Sequence, residues 1–317
     1  MGCAFSKVAD ESSATTSART GFPRIQKREV QRIHVSPKIP EGFTMLPESN
    51  EVCEMYNWVN ADWLRGYDGE TMPHFQKLLT DYPTAIVRKP IRFSDVLSGR
   101  LVKEYGSTSH RWMDADRPDR DGTQLKAVKT WLHEKPSIMW LWFDDWCMPQ
   151  GERNEIEQAE FKRMLKNINM IYLGTQVLIL LDLSYLSRFW TQFEAWLSMQ
   201  MVTTQGLVSA VGSGAERHSI KCIYNAIQGT DDTRLVQMWA SKTPTEAQTI
   251  LSRPDVSVTN ASDKAGQLPK IQLLDDQVKA AFETMTILAV QEVSRAKAEI
   301  ERAKAEIERA KAEIERA

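Results

Sequence analysis

The sequence lacks long apolar runs, closely spaced cysteines and an excess of either charge, and each absence excludes a class of protein. Its longest apolar runs, such as residues 177–181, fall far short of the roughly 20 residues that a membrane-spanning helix needs. Basic and acidic residues nearly balance at 40 and 42, and the net charge of −2 does not indicate a nucleic-acid-binding protein. No apolar secretory segment follows Met1, so we expect an intracellular protein whose thiols stay reduced.

Metal and nucleotide sites with recognisable spacings are also missing. The four cysteines are Cys3, Cys53, Cys147 and Cys222. They form no C-x-x-C pair and no cluster with the five histidines, so we expect no metal site and no bound cofactor. The glycine-rich loop G-x-x-x-x-G-K-S/T is absent, which disfavours a nucleoside triphosphatase. A nucleophilic pair of Cys147 with His110 or His218 remains an alternative.

Composition divides the 317 residues into four stretches. Residues 1–40 carry seven basic against three acidic side chains and have no apolar period, so we expect a disordered arm. Residues 41–97 carry aromatic side chains between turn signals and predict a small folded accessory region. Residues 98–270 alternate strand and helix patterns, and residues 271–317 predict a long helix that ends in heptad repeats.

The alternation within residues 98–270 predicts the fold class. Residues 138–143 and 177–183 are short apolar runs without alternation, which is typical of strands buried on both faces of a parallel sheet. Residues 122–134 and 155–173 have apolar side chains at helical spacing. Strands that alternate with helices across short loops indicate an α/β protein, with a parallel sheet flanked by helices and right-handed crossovers.

The end of the chain repeats Ala-Lys-Ala-Glu-Ile-Glu-Arg with a period of seven. The heptad positions are Ile300, Ile307 and Ile314 at a, Ala296, Ala303 and Ala310 at d, Lys297, Lys304 and Lys311 at e, and Glu299, Glu306 and Glu313 at g. An apolar seam between opposite charges is typical of a coiled coil and predicts self-association. The alternative is a single exposed helix that Glu–Lys pairs stabilise, because alanine at d makes the seam weak.

The first residues match a lipidation signal. M-G-C-A-F-S fits the pattern M-G-x-x-x-S/T, in which Gly2 receives myristate, and Cys3 lies where a reversible palmitate is commonly added. One acyl chain holds a membrane only marginally, so stable anchoring needs a second signal. Cys3 is one candidate, and the basic arm, which anionic lipids attract, is another. We therefore expect a lipid-anchored protein on the cytoplasmic face of a membrane; a chance match at a disordered start is the alternative.

Four motifs in the α/β region resemble one family. They are S-H-R-W-M-D from Ser109 to Asp114, F-D-D with G-E between Phe143 and Glu152, Y-L-S-R-F-W from Tyr185 to Trp190, and Glu194 four residues later. In that order they resemble S-F-R-G-x-D, D-D with G-E, Y-x-S-S-x-W and the glutamate of W-C-x-x-E-L in TIR domains. The fungal heterokaryon-incompatibility (HET) domain, itself TIR-like, is closer. Its W-I-D-A-L-C-I-N-Q and S-R-V-W-T-L-Q-E resemble W-F-D-D-W-C-M-P-Q from Trp142 and S-R-F-W-T-Q-F-E from Ser187.

The resemblance covers residues 100–200 best and implies a flavodoxin-like (TIR-like) domain over residues 98–270. It also implies that NAD would be the substrate, cleaved at the nicotinamide bond in stress, defence or cell-death signalling, with Glu194 as the catalytic residue. His110, Trp112 and Ala195 depart from the family pattern.

The same residues support a site on physical grounds. Their motifs follow predicted strands, and in a parallel α/β sheet ligands bind outside the carboxyl ends of the strands. Glu194 beside Trp190 on one helix face could stabilise positive charge on a sugar ring, and the fork of Arg111 suits a diphosphate. The predicted substrate-binding residues are Ser109, Arg111, Asp144, Asp145 and Trp190.

Each of these residues also has a purely structural interpretation. Glu194 could be a solvated helix residue, and Trp190 could pack the helix on the sheet. Asp144 and Asp145 could cap the next segment, and Arg111 could pair with Asp114 or Asp116 nearby. Two functions therefore stay open, an NAD glycohydrolase and a non-catalytic signalling module that self-associates at a membrane.

Overall fold

The structure of the protein, a computed structural model, describes residues 53–316. The lipidation signal at Gly2 and Cys3, the basic arm, the start of the accessory region and Ala317 lie outside the described residues. Residues 53–316 form an α/β structure in which helices flank a mostly parallel central sheet and a long helix ends the chain. The predicted fold class is confirmed to this extent.

Eight strands lie within residues 53–316, and six of them form the central sheet. The strands are β1 (Cys53–Asn60), β2 (Ile86–Arg92), β3 (Tyr105–Ser109), β4 (Trp140–Trp142), β5 (Gln176–Leu181), β6 (Gln200–Thr203), β7 (Gly206–Ser209) and β8 (His218–Cys222). The sheet order is β2-β1-β4-β3-β5-β8, and β6 pairs with β7 in a separate hairpin. Strands β4, β3, β5 and β8 are parallel, while β1 and β2 join the β4 edge antiparallel. If the four parallel strands are numbered in chain order, their order across the sheet is 2-1-3-4.

Strands β4 and β5 form where the sequence has unbroken apolar runs. Every residue of β5 after Gln176 is buried, since β3 and β8 pair with it on its two sides. The predicted strand over 138–143 is confirmed at its centre but ends at Trp142, because Phe143 begins a helical turn. The run over 177–183 stops as a strand at Leu181, where the Asp182 side chain caps a 3₁₀ turn.

Eleven α-helices lie in the described part of the chain. They are α1 (Ala61–Gly66), α2 (Phe75–Asp81), α3 (Phe93–Leu97), α4 (Thr123–Glu134), α5 (Asp144–Cys147), α6 (Glu155–Lys166), α7 (Asn169–Gly174), α8 (Phe189–Ser198), α9 (Asp231–Trp239), α10 (Pro244–Ser252) and α11 (Ala261–Arg316). Helix α4 confirms the predicted helix over 122–134. The prediction of a single helix over 155–173 is wrong. The backbone of Asn167 leaves the helical conformation and ends α6, and the side-chain amide of Asn167 donates to the Glu54 carboxylate.

The accessory region supplies two strands of the central sheet. β1 pairs with β4 at Val59 and Leu141, and β2 covers the outer edge of β1. The side chains of Tyr56 and Trp58 in β1 are completely buried. One hydrophobic core therefore runs through the described parts of the predicted 41–97 and 98–270 stretches.

Helix α11 begins at Ala261, before the predicted C-terminal stretch at 271. Its first half packs on the body through a buried stripe that includes Ile271, Val278 and Phe282. The carboxylate of Asp275 accepts a hydrogen bond from the Leu207 backbone nitrogen in β7 (2.7 Å). Beyond this part, every side chain from residue 289 to residue 311 is exposed. Among the helices of residues 53–316, none is both long enough and apolar enough to cross a membrane.

A buried arginine holds the end of α8 against α7. The terminal nitrogens of Arg217 donate to four backbone oxygens, those of Tyr172, Thr175, Leu197 and Gln200, at 2.7–3.1 Å. Burial lowers the pKa of Arg217 to about 10, which leaves it charged at neutral pH. The partial negative charges of these helix-end carbonyls stabilise the guanidinium, and the contact fixes the position of α8 beside the sheet.

Candidate functional site

A pocket of about 530 Å³ opens at the carboxyl ends of the parallel strands. Its walls come from residues 110–115 after β3, from side chains after β4, from the start of α8 and from residues 257–260. The last wall is fixed because Phe189 N donates to Ser257 O (2.7 Å) and Ser257 N donates to Ser187 O (2.8 Å). Ligands bind at this edge in open parallel sheets, so the pocket is the candidate site.

Glu194 lines the pocket with 8% of its surface exposed. Its Oε2 accepts a hydrogen bond from Ser109 Oγ (2.6 Å), and the Tyr185 hydroxyl lies 2.6 Å from the same Oγ. Because the Ser109 hydroxyl donates its hydrogen bond to Glu194, the Tyr185 hydroxyl is the donor in its hydrogen bond with Ser109 Oγ. The Tyr172 hydroxyl donates to Thr108 O (3.4 Å) and also lies close enough to the Glu194 carboxyl to lower the pKa of that group. The burial of Glu194 excludes the interpretation as a solvated helix residue, and it places the fully buried Ser109 behind the carboxyl rather than in the pocket wall.

The charge state of Glu194 is set mainly by burial. Burial raises the pKa of Glu194 well above its ordinary value, and the negative charge of Asp144 raises it further. The hydrogen bonds from Ser109 and Tyr172 act in the opposite direction. Within residues 53–316, no lysine or arginine forms an ion pair with Glu194. A cationic ligand in the pocket would therefore restore the charge of this carboxyl.

Asp144 is the second carboxylate of the pocket. Its Oδ1 lies 2.8 Å from His110 Nε2, and its Oδ2 accepts a hydrogen bond from the Trp112 indole nitrogen (2.8 Å). Burial raises the pKa of Asp144, but the contacts of His110 and Trp112 together outweigh it and hold this pKa below its ordinary value. Asp144 therefore stays ionised at neutral pH while Glu194 resists ionisation. Two carboxyls whose surroundings push their pKa values apart are typical of catalytic pairs.

Asp145 does not line the pocket. Its side chain is 2% exposed and pairs with His74 Nδ1 at the start of α2. Burial raises the pKa of Asp145 to about 6, against the effect of the hydrogen bond to His74. The structure thus separates Asp145 from the other predicted site residues, because it ties the β4 loop to the accessory region.

Arg111 lines the pocket, but its guanidinium is already paired. Its Nε donates to Asp182 Oδ2 (2.9 Å), and a terminal nitrogen donates to Trp112 O (2.9 Å). The other Asp182 oxygen accepts from the Tyr185 backbone nitrogen (2.8 Å). The partner of Arg111 is therefore Asp182 rather than a neighbouring aspartate, and its fork is not free for a diphosphate.

Trp190 lines the pocket one helical turn before Glu194 and on the same face of α8. Its indole hydrogen-bonds Asp263 near the start of α11. Its ring packs edge-on against Phe189 and Phe193, with centroids 5.6 and 6.3 Å away. The residue therefore combines the packing role with an exposed edge in the pocket.

Two further arginines line the pocket, and the sequence did not single them out. Arg188 is exposed at the start of α8, and its side chain makes no hydrogen bond or ion pair within residues 53–316. Arg153 Nε donates to Pro149 O (2.6 Å), and its guanidinium lies 3.7 Å from the centroid of the Phe161 ring. Arg188 is thus available to a ligand, and Arg153 is held in place in the wall of the same pocket.

The nucleophilic pair of Cys147 with a histidine is disfavoured. Cys147 is completely buried, and its thiol donates to Leu141 O (3.7 Å). Burial raises the pKa of the Cys147 thiol to about 12, so the reactive thiolate does not form at neutral pH. Within residues 53–316, no group of three or more His, Cys, Asp and Glu side chains is placed to hold a metal ion.

The sequence did not reveal several residues that complete the site. Tyr185 belongs to a recognised motif, and its hydrogen bond to Ser109 could have been suspected from that motif. Tyr172 lies in the wholly buried helix α7, where nothing distinguishes it from a packing residue. The wall at residues 257–260 comes from a segment without a motif.

No protein-family model matches the chain, and searches of curated proteins and of solved structures also find no match.

Proposed function

We propose that this chain is a TIR-like signalling protein, closest to the HET type, that cleaves NAD in the pocket. The observation that carries the proposal is the pair of carboxyls, Glu194 and Asp144, in one pocket with pKa values displaced in opposite directions. The order of the parallel strands supports it, because flavodoxin-like sheets have the order 2-1-3-4-5 and the first four positions agree.

The pocket residues suit the charge that develops during glycoside cleavage. The bond between ribose C1′ and the nicotinamide nitrogen breaks, and its electron pair goes to the nitrogen, which becomes neutral. Positive charge then spreads over C1′ and the ring oxygen. Asp144 and the ionised form of Glu194 stabilise that charge, and a water oxygen bonds to C1′ and loses its proton. The products are nicotinamide, ADP-ribose and a proton.

The cationic substrate also accounts for a buried, unpaired glutamate. The nicotinamide ring of NAD carries a positive charge, which favours the ionised form of a neighbouring carboxyl. Glu194 therefore becomes charged when substrate enters, at the position where the charge is needed. The hydrogen bond from Ser109 (2.6 Å) holds the carboxyl in place for this role.

Arg188 is the cation that best suits the diphosphate of NAD. It lines the same pocket at the start of α8 and has no side-chain partner within residues 53–316, whereas Arg111 is paired with Asp182. A guanidinium fork binds phosphate oxygens in pairs. Trp190, which lies between Arg188 and Glu194 in sequence, lines the same pocket.

The signalling part of the proposal rests on the two ends of the chain. Myristate at Gly2 and palmitate at Cys3, helped by the basic arm, would hold the protein on the cytoplasmic face of a membrane. The exposed heptads of α11 would support self-association. A purely non-catalytic scaffold is the second candidate, because these exposed heptads would work without turnover in the pocket.

Incubation of the purified protein with NAD, with nicotinamide as the readout, tests the proposal. The assay is run at high protein concentration and on lipid vesicles, because sites of this family are often completed between neighbouring domains. We expect nicotinamide release by the unmodified chain and its loss in Glu194→Gln. No release by the assembled protein would overturn the enzymatic proposal and favour the scaffold.

A further inference from the structure

The exposed half of α11 carries a continuous apolar seam. Val293, Ile300, Ile307 and Ile314 recur every seven residues and are 55%, 54%, 55% and 76% exposed. All are β-branched and occupy the heptad a position, with Ala289, Ala296, Ala303 and Ala310 at d. In the first half of the helix, by contrast, most large apolar side chains are buried on the body, with Leu273 and Ile287 about half exposed. The structure therefore leaves this seam uncovered over residues 289–314.

The width of the seam indicates what kind of surface covers it. A helix that packs on a globular body presents an apolar stripe at least about 100° wide, and an a/d stripe is the narrower seam of a coiled coil. Positions b, c and f hold Glu301, Arg302 and Ala305 in one heptad; the next heptad is the same, and the heptad from Val293 differs by Ser294 at b. The partner is thus another helix with heptad spacing. β-branched residues at a are typical of two-stranded parallel coils, in which d is usually leucine and is alanine here.

The flanking charges identify the partner and its direction. Position e is lysine and position g is glutamate in each repeat. In a parallel pair, g of one chain meets the following e of the other, so Glu299 meets Lys304 and Glu306 meets Lys311. In an antiparallel pair of the same chain, glutamate would meet glutamate and lysine would meet lysine, which is repulsive.

The glutamates at g are also free to make these contacts. Within the helix, Lys304 pairs with Glu301 (2.8 Å) and Lys311 with Glu308 (2.9 Å), both of which are b positions. The side chains of Glu299, Glu306 and Glu313 make no hydrogen bond or ion pair within residues 53–316. Exposed lysine side chains can exchange the b partner for the g partner of a second chain at little cost.

We propose that α11 pairs with α11 of a second copy of this chain as a parallel, in-register coiled coil over residues 289–314. The parallel direction places the two bodies at the same end of the coil, so that the two pockets lie on one side of the assembly. This inference specifies the self-association in the proposed function. It does not depend on NAD cleavage, because chain mass and cross-linking measure the seam whether or not the pocket turns over substrate.

Light scattering of the full chain tests the pairing. We expect twice the 36.2 kDa of one chain for the unmodified protein. Ile307→Lys places a charge in the seam and should return the mass to one chain, whereas Ala305→Lys places the same charge at the outer f position and should not. Both side chains are exposed, so the body should fold normally in each variant. A single-chain mass for the unmodified protein at every concentration, or equal masses for the two variants, would overturn the proposal.

Cysteine cross-linking tests the direction and the register. In a parallel, in-register pair, the two Ala303 positions face each other across the seam, within the distance that a disulfide spans. We expect Ala303→Cys to give a covalent dimer on mild oxidation and Ala305→Cys to give only the background of the unmodified chain. A dimer in which the Ala303→Cys variant does not cross-link would show another direction or register. Binding of the tail to lipid vesicles by a chain that stays single in solution would show that a membrane covers the seam; either result would refute the inference.

Discussion

Replacing Glu194 with glutamine should abolish most NAD cleavage and at the same time stabilise the protein. Glutamine keeps the shape of the side chain and one acceptor for Ser109, but it removes the charge. If that charge acts mainly on the transition state, its loss lowers kcat more than it raises KM. Removal of one such electrostatic partner typically costs about 10²–10³-fold in kcat, which we expect here.

The stability change follows from the raised pKa of Glu194. In the unfolded chain this carboxyl ionises near its ordinary pKa of 4.5, whereas burial keeps it protonated to higher pH in the folded protein. The free energy of unfolding therefore falls as pH rises from the ordinary pKa of Glu194 to its pKa in the folded protein. In this range the folded protein must lose a proton that the unfolded chain has already lost. Glutamine does not titrate. Above this window the variant should be more stable than the unmodified chain, with a Tm higher by about 2–4 °C for each kcal/mol gained.

The pH dependence of cleavage should show the same group. The ionised carboxylate is the active form, so kcat/KM should rise with pH through the raised pKa of Glu194 in the free enzyme. The rise of kcat should lie at lower pH, because the bound cationic substrate favours ionisation. Glu283→Gln, an exposed position on α11, is the matched control and should change neither activity nor Tm. Normal cleavage by Glu194→Gln, or a Tm difference from the unmodified chain that does not grow between acid and neutral pH, would refute this reasoning.

Other substitutions separate the remaining roles. Asp144→Asn should lower kcat and also move the rise of kcat/KM to lower pH, since the charge of Asp144 raises the pKa of Glu194; an unmoved pH profile would contradict the coupling. Arg188→Gln should raise the KM for NAD with little change in kcat, and an unchanged KM would exclude its phosphate role. Gly2→Ala should move a fluorescent fusion from membranes to the cytosol, while Cys3→Ser should leave weaker, exchanging binding, as expected for one acyl chain. A Gly2→Ala protein that stays on membranes would exclude the acyl anchor as the cause.

The fold class could be predicted because buried parallel strands leave a distinct pattern. The unbroken apolar run that becomes β5 is typical of a strand buried on both faces, and the structure confirms this strand. The two antiparallel strands of the accessory region could not be foreseen, because pairing of β1 with β4 depends on contacts between residues far apart in sequence. The break at Asn167 was missed because apolar spacing continues across it.

The site could be located from the sequence, but its electrostatics could not. The motifs predicted that Glu194, Asp144, Arg111 and Trp190 belong to one site, and the structure places all four in the wall of one pocket. The pairing of Arg111 with Asp182 is a contact between two loops, and no local pattern records it. Adjacent positions also diverge: Asp144 lines the pocket, whereas Asp145 pairs with His74 away from it. Sequence order cannot separate two neighbouring carboxylates whose directions depend on the tertiary structure.

A displaced pKa alone does not distinguish a functional carboxyl in this protein, because Asp145 and Glu194 are both buried and both have a raised pKa. What distinguishes them is the available partner. Asp145 has His74, which supplies a positive charge when protonated, so its environment is complete within the fold. Glu194 lines a pocket, accepts a hydrogen bond from the neutral Ser109 hydroxyl, lies near the negative charge of Asp144 and has no cationic partner within residues 53–316, so its ionised form is disfavoured until a cation arrives. A buried carboxyl with a displaced pKa that lines a cleft is a candidate functional residue. Within residues 53–316 no side chain supplies a positive charge beside Glu194. The nicotinamide ring of the proposed substrate would supply it.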